Sequence, residues 1–114
     1  MKDRIIIGLT ARVVLFGKEG KKEVIARVDT GATKSSIDAK LAEELGLGKE
    51  LRQILIKSAH GSRHRGVILG DINIAGQMFH TEFTIADRAH LKYRVLIGQN
   101  ILKKGFLIDP LRGV

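Results

Sequence analysis

Residues 28–36 of the chain read Val-Asp-Thr-Gly-Ala-Thr-Lys-Ser-Ser, and they follow an apolar-leaning segment that is typical of a β-strand. A strand that ends in Asp-Thr-Gly carries the carboxylate of Asp29 into a tight bend. Gly31 allows the backbone to turn because it has no Cβ, and Thr30 can offer its hydroxyl to a nearby backbone group. This pattern indicates a carboxylate that is held at a bend and accessible for catalysis, rather than one in a surface ion pair.

A second stretch lies far downstream, where residues 94–102 read Arg-Val-Leu-Ile-Gly-Gln-Asn-Ile-Leu. Together the two stretches resemble the retroviral-type aspartic proteases, the retropepsins. In that family Asp-Thr-Gly-Ala is followed far downstream by two apolar residues, Gly, a polar pair and two more apolar residues. The chain is still more similar to a cellular retropepsin-like branch that is labelled ATP-dependent zinc proteases. In that branch a Ser lies six positions after the acid, as Ser35 does here, and the chain ends in a Gly-Phe-Leu-apolar-Asp run, here Gly105–Asp109.

The resemblance covers the chain from the first strand to Asp109, and it implies an all-β fold. The expected architecture is a small closed acid-protease barrel with one or two short helices, which forms a two-fold homodimer. The two stretches would mark pseudo-symmetric lobes, and the chain termini would form a sheet between subunits. Residues 60–65 would be the flap over the cleft, with substrate contacts from His60, Gly61, Ser62 and Arg63. All of residues 1–114 would form one protease domain.

Composition limits the alternatives. The 114 residues allow one domain, and 13 Gly with one Pro and few aromatic residues are typical of a many-turned β protein. The absence of Cys excludes disulfides and thiolate metal sites. We see no signal peptide and no membrane span, so we expect a soluble, cytoplasmic protein without a membrane partner. The net charge of +8 favours attraction to nucleic acid or to acidic polypeptides, or simply a solvated basic surface.

Local patterns predict where strands, turns and helices lie. Strands are predicted at residues 4–16, 23–28, 51–58, 67–74, 78–85, 94–97 and 105–108. Polar loops are predicted at residues 17–22, 59–66 and 86–93, and a tight turn at residues 75–76. A helix is predicted over residues 37–45, because apolar residues recur there at helical spacing, with Ser35 or Ser36 as its cap and Gly46 at its end. A further helical turn is predicted at residues 99–104.

Peptide hydrolysis by an activated water needs one group to take a proton and another to polarise the carbonyl. Two adjacent carboxylates share a proton and do both tasks. The sequence has a single Asp-Thr-Gly, so a homodimer would supply the second Asp29. We hypothesise that Asp29 is catalytic, that Thr30 holds the two loops together, that Gly31 contacts substrate, and that the small Ala32 leaves room beside the acid. Without the downstream stretch, the triplet also fits a structural turn Asp.

No metal site and no cofactor are predicted. His60 and His64 lie four residues apart, but in a Gly-bounded turn with neither Cys nor a His-Glu-x-x-His motif. No Gly-x-x-x-x-Gly-Lys-Ser/Thr loop is present either. The residues therefore support neither the zinc nor the ATP of the branch's label. Together with Arg63 and Arg65, the two histidines fit either a solvated hairpin tip or a cationic flap that attracts acidic peptide.

The predicted function is that of an aspartic endopeptidase, which hydrolyses peptide or protein substrates with a water activated by Asp29 and its symmetry mate. The cellular branch includes members implicated in trimming glutamate-bearing tails, so the resemblance implies a preference for acidic, glutamate-rich peptides. The alternative is a catalytically inactive module that uses the same fold for binding or dimerisation. A nucleic-acid-binding barrel is disfavoured because few aromatic residues are available for base stacking.

Overall fold

The structure is a computed structural model and describes residues 3–59 and 61–114. Within these residues it contains nine strands and two short helices. The strands are β1 (Ile5–Ile7), β2 (Thr10–Gly17), β3 (Gly20–Val28), β4 (Ser35–Asp38), β5 (Arg52–Ser58), β6 (Gly61–Ile74), β7 (Gln77–Ala86), β8 (Val95–Ile97) and β9 (Phe106–Ile108). The helices are α1 (Ala39–Leu45) and α2 (Gln99–Leu102). Among the described helices, none has the length and apolar character that crossing a membrane requires.

Six strands close into a barrel in the order β2-β3-β8-β4-β7-β6, and the pairing of β2 with β6 completes the ring. The β3–β8 and β4–β7 pairs are parallel, and the remaining pairs of the ring are antiparallel. Strand β5 pairs with β6 and lies outside the ring. The predicted all-β closed barrel with one or two short helices is confirmed, whereas the homodimer stays a prediction.

Aliphatic side chains fill the barrel, because side chains alternate across a strand and every second residue points inward. In β2, Ala11, Val13 and Leu15 are buried while Arg12 is exposed. Phe83 is the largest fully buried side chain among the described residues. Each aliphatic or Phe side chain buried in this way contributes about 1.5–3 kcal/mol. This core supplies the rigid scaffold that holds the loops of the site.

Residues 35–38 form strand β4 and not the start of a helix. All four are buried, and they pair in parallel with β7 and antiparallel with β8. Helix α1 begins at Ala39, and the side chain of Asp38 caps it by accepting a hydrogen bond of 3.3 Å from the Leu41 N–H. The prediction that the helix starts at Ile37 behind a Ser cap is therefore wrong. Ladder pairing with two distant strands outweighs the local helical spacing at these positions.

Glycine and turn positions follow the sequence closely. Gly46 ends α1 with a φ of 63°, in the left-handed region that favours glycine. Ala75 and Gly76, with φ values of 53° and 84°, turn β6 into β7 as predicted. The loop predicted at residues 17–22 is shorter than expected, because β2 and β3 pair as far as their terminal glycines.

Strands β5 and β6 form a long hairpin whose register pairs Ser58 with Gly61. The prediction of a loop over residues 59–66 is wrong from Gly61 onward, because those residues continue the ladder. Residues 61–67 of β6 pair with β5, and residues 67–74 pair with β7 in the barrel. The hairpin consequently extends beyond the barrel wall.

The strands near the two ends of the chain pair with each other. β1 and β9 form a two-stranded parallel sheet in which Ile5 pairs with Phe106 and Ile7 with Ile108. The Asp109 N–H extends this pairing by donating a hydrogen bond of 2.8 Å to the Ile7 carbonyl. A sheet between subunits built from the chain termini stays a prediction.

Candidate functional site

Asp29 lies immediately after β3, at the bend that the sequence predicts. Its N–H donates to the Ile97 carbonyl at 2.9 Å, so the end of β8 holds its backbone. Its Oδ1 accepts a hydrogen bond of 2.9 Å from the Gly31 N–H. The side chain is half-buried. The bend therefore orients the carboxylate while leaving part of it open to solvent.

The residues after Asp29 are held mainly through their backbone. The Thr30 carbonyl accepts a hydrogen bond of 2.8 Å from Nε2 of Gln99, and the Ala32 carbonyl accepts one of 2.8 Å from the Gln99 N–H. Thr30 and Gly31 are exposed, and Ala32 is half-buried. That Gln99 supports this loop was not predicted from the sequence. The polar pair that follows Gly98 was the feature that could have indicated it.

Ser35 joins the loop of Asp29 to the downstream glycine stretch. It is buried in β4, where its Oγ donates to Oδ1 of Asn100 at 2.8 Å and accepts from the Gly98 N–H at 2.9 Å. The Asn100 amide in turn donates to the Glu82 carbonyl at 2.9 Å. Ser35 is therefore not a helix cap, and its buried hydroxyl positions the site.

Gly98 permits the close approach of these two segments. A Cβ at this position would lie 2.9 Å from the Ala32 carbonyl oxygen and closer still to the Lys34 backbone. Its φ is −104°, which any residue can adopt, so the need for glycine is steric and not conformational. The glycine of the downstream stretch thus follows from the packing of two backbones.

A buried carboxylate, Asp38, forms an ion pair with the half-buried Arg94. Asp38 is 1% exposed, and its Oδ2 accepts a hydrogen bond of 3.0 Å from Nη2 of Arg94 while its Oδ1 accepts one of 2.8 Å from the Arg88 N–H. Burial acts to raise the pKa of Asp38, but the hydrogen bonds from Arg88, Arg94 and Leu41 outweigh it and lower that pKa. Asp38 therefore stays charged and anchors the loop that carries Arg88.

A cleft of about 330 Å³ lies between the Asp29 loop and the β5–β6 hairpin. Its lining residues are Gly31, Ala32, Thr33, Lys34, Ser36, Ile56, Lys57, Arg65, Thr84, Arg88 and Leu96. A larger cavity, of about 500 Å³, lies elsewhere against Val24, Ile25 and residues 92–94. The cleft beside the Asp-Thr-Gly loop is the one that we assign to the site, because residues 31–34, which follow Asp29 closely, line it.

The predicted flap residues that the structure describes lie on the hairpin but do not line this cleft. Gly61, Ser62 and Arg63 are exposed and pair with Ser58, Lys57 and Ile56 in that order. His60 lies outside the described residues. The hairpin reaches the cleft instead through Ile56, Lys57 and Arg65. In the described part of the chain, His, Asp and Glu side chains form no cluster of three or more that could hold a metal ion.

Two half-buried arginines, from different elements of the fold, line the cleft. Arg65 comes from β6 and Arg88 from the loop after β7. Burial, and then the positive charge of Arg65, lower the pKa of Arg88, while Asp38 and Asp29 raise it. The sequence contains both arginines but could not show that they line the same cleft, because 23 positions and a barrel strand separate them.

Comparison with known proteins places this arrangement in a family. The model of the family described as "gag-polyprotein putative aspartyl protease" matches residues 17–104. A curated relative from Shewanella pealeana, described as "Probable alpha-L-glutamate ligase", is 32% identical over 83% of this chain. The chain spans only 26% of the length of that relative.

Three solved structures share the fold. A Legionella pneumophila protein of unknown function, Lpg0085, matches with a TM-score of 0.67 and 18% identity, over 95% of both chains. The protease of EIAV, solved with the inhibitor HBY-793, matches with a TM-score of 0.67 and 19% identity, over 91% of this chain and 89% of its own. The simian foamy virus protease matches with a TM-score of 0.61 and 19% identity, over 82% of this chain and 91% of its own. The barrel, the Asp-Thr-Gly bend and the matched family model together establish that this chain belongs to the retropepsin-like gag-polyprotein aspartyl protease family.

Proposed function

We propose that this protein is an aspartic endopeptidase whose active site forms when two copies of the chain bring their Asp29 side chains together. The observation that carries the proposal is the setting of Asp29, a half-buried acid held at a glycine bend beside an open cleft. Asp29 adjoins this cleft through Gly31, and the described residues that line the cleft add no other Asp or Glu. A single chain therefore supplies one carboxylate, whereas the chemistry needs two.

The proposed reaction uses the two carboxylates as a unit. At close range both cannot ionise, so the pair holds one proton. The ionised member takes a proton from the attacking water while the protonated member polarises the peptide carbonyl. The tetrahedral intermediate then collapses, with a proton delivered to the leaving amine. In this scheme Gly31 offers backbone contacts to substrate, and the exposed Thr30 is available to the partner's loop.

Charge supports a preference for acidic peptides. The chain carries a net charge of +8, and Lys34, Lys57, Arg65 and Arg88 all line the cleft. Opposite charge raises the local concentration of a substrate and speeds its association. The name of the curated relative refers to a ligase that acts on L-glutamate. We extend this to the present chain only as a proposal that its substrates include glutamate-bearing peptides.

The test compares Asp29→Asn with Asp87→Asn. Asn retains the oxygen that accepts the Gly31 N–H, so the loop should stay folded. Asp87 is the matched control, because its Oδ1 accepts a similar local hydrogen bond from the Ala89 N–H and its side chain is 76% exposed. We expect Asp29→Asn to abolish peptide cleavage and Asp87→Asn to retain it, with both variants keeping the wild-type unfolding temperature.

Mixing the chains tests the shared site. Adding excess Asp29→Asn protein to a fixed amount of wild type should suppress cleavage, because mixed dimers hold one carboxylate. Native mass spectrometry would verify that mixed dimers form. Undiminished wild-type activity in their presence would contradict the shared dyad. A wild-type protein that neither cleaves peptides nor binds a statine-type inhibitor would favour the alternative, a binding or dimerisation module.

A further inference from the structure

We propose that Arg65 and Arg88, with the buried hydroxyl of Ser36, form a carboxylate-binding subsite that selects a substrate with a carboxylate near the bond to be cleaved. This inference rests on the proposed peptidase function and names the residues that would recognise the substrate. The three side chains line the same cleft between the Asp29 loop and the hairpin.

Arg88 is held in place from behind. Its N–H donates to Oδ1 of Asp38 at 2.8 Å, and its Nε donates to the Tyr93 carbonyl at 3.0 Å. Within the described residues, its two terminal nitrogens donate no hydrogen bond. A guanidinium presents its donors in a planar fork that matches a carboxylate. Arg88 is therefore oriented by the protein, with the end of the fork available to a ligand.

Arg65 approaches from the hairpin, where β6 pairs it with Ile54 of β5. In the part of the chain that the structure describes, neither Arg65 nor Arg88 forms a salt bridge. Other arginines do have acidic partners, and the pairs include Arg12–Glu23, Arg52–Glu82 and Arg94–Asp38. Two half-buried cations at one cleft repel each other, and an anion between them would remove that repulsion.

Ser36 supplies a second, independent indication of a ligand. It is 5% exposed, and its Oγ is buried without a hydrogen-bond partner among the described residues. Buried hydroxyls are nearly always hydrogen-bonded, so an unpartnered one needs an explanation. A carboxylate oxygen held by the arginines would accept this hydroxyl's proton in a hydrogen bond. Lys34, which also lines the cleft, is instead directed to Glu82 at 3.9 Å.

The carboxylate has two possible sources with the same chemistry. One is the side chain of a glutamate or aspartate in an extended substrate, which suits an endopeptidase. The other is the terminal α-carboxylate of a peptide, which suits removal of residues from a chain end. The cleft, at about 330 Å³, falls in the range of small-molecule pockets and has room for either.

The experiment uses Arg65→Gln and Arg88→Gln, with Arg12→Gln as a control that removes the same charge. Arg12 is 56% exposed and pairs with Glu23 on the outer face of the barrel. Peptides are compared in pairs that differ by Glu against Gln near the cleaved bond, and each pair is made with a free and an amidated C-terminus. The readout is the ratio of kcat/KM values within each pair.

Wild type and Arg12→Gln should prefer the peptide that carries the carboxylate. Arg65→Gln and Arg88→Gln should each lose roughly tenfold to a hundredfold of that preference while still cleaving the uncharged peptide. A higher kcat/KM for Glu than for Gln peptides shows that the subsite binds the side-chain carboxylate. A higher kcat/KM for peptides with a free C-terminus than for amidated ones shows that it binds the α-carboxylate. An unchanged ratio in both arginine variants would overturn the proposal.

Two further measurements keep the test decisive. Arg88→Lys retains charge but loses the planar fork, so it should fold even if Arg88→Gln does not, and it should give an intermediate ratio. Binding of the same fluorescent peptides to the Asp29→Asn protein measures the subsite without catalysis. Discrimination of Glu from Gln there, lost on adding Arg65→Gln, would support the subsite even if the peptidase proposal failed. Equal binding of both peptides would refute the subsite alone.

Discussion

The side-chain oxygen of Asn100 accepts two hydrogen bonds from Ser35, one of 2.9 Å from its N–H and one of 2.8 Å from its hydroxyl. These residues are 65 positions apart, yet together they fix the geometry of the site. Because the same hydroxyl accepts the Gly98 N–H, the Asp-Thr-Gly loop and the downstream glycine stretch form one unit. These hydrogen bonds hold the two segments of the site together, so Ser35 is the first residue to mutate.

Ser35→Ala should destabilise the protein, and Ser36→Ala should not. Removal of the Ser35 hydroxyl leaves the buried Gly98 N–H without a partner, which costs about 1–3 kcal/mol. The neighbouring Ser36 is also buried, but its hydroxyl has no partner to lose among the described residues. Urea unfolding of the two variants measures the difference. Equal losses of stability would contradict the hydrogen-bond assignment.

Gly98→Ala should be strongly unfavourable, while Gly48→Ala should be neutral or slightly stabilising. The added methyl group at position 98 would meet the backbone of Lys34 and Ala32, which cannot rotate away as a side chain can. Overpacking of this kind costs about 1–3 kcal/mol. A Cβ at Gly48 meets open space, so Ala there mainly restricts the unfolded chain. Thermal unfolding compares them, and a stable Gly98→Ala protein would disprove the close approach.

Acid should destabilise the fold partly through Asp38. The carboxyl has its ordinary pKa of 3.8 when the chain is unfolded and a lower pKa in the fold. On acidification the unfolded state binds the proton first. The stabilisation is therefore complete above the unfolded pKa and is lost as the pH falls through the folded pKa. This predicts declining stability below about pH 5, with the steepest loss under the ordinary carboxyl pKa.

Asp38→Asn tests whether Asp38 is the source of the loss of stability in acid. At neutral pH the variant should lose about 3 kcal/mol, because Arg94 is left without its buried partner. Its unfolding free energy should then depend less on pH than that of wild type in the acidic range. Urea titrations of both proteins over that range give the comparison. Parallel pH profiles would show that another carboxylate is responsible.

Arg52→Gln should loosen the hairpin without unfolding the barrel. Arg52 in β5 forms two hydrogen bonds with Glu82 in β7, at 2.6 Å and 3.0 Å, and this contact lowers the pKa of Glu82. Both side chains are partly exposed, so the effect on overall stability should be small and sensitive to salt. Amide hydrogen exchange should accelerate in β5 more than in β2. Uniform exchange rates would show that the ion pair does not anchor the hairpin.

The local elements of this fold could be predicted because short-range chemistry specifies them. Gly46 and Gly76 adopt positive φ values at the positions where the sequence predicts a helix end and a turn. The Asp29 bend follows from a strand that runs into a small, flexible residue. The single Asp-Thr-Gly also leads to the expectation of two copies, which stays a prediction. Such features depend on a few neighbouring residues, so the sequence alone is enough to predict them.

Long-range pairing decided the rest. Residues 35–38 have helical spacing but form a strand, because β7 and β8 flank them and satisfy their backbone groups. Ser35 became a positioning residue, and not a helix cap, through its contact with Asn100. Arg65 and Arg88 line one cleft because of how the barrel closes and where the hairpin lies. Contacts between distant segments are set by the total free energy of packing, which no local pattern records.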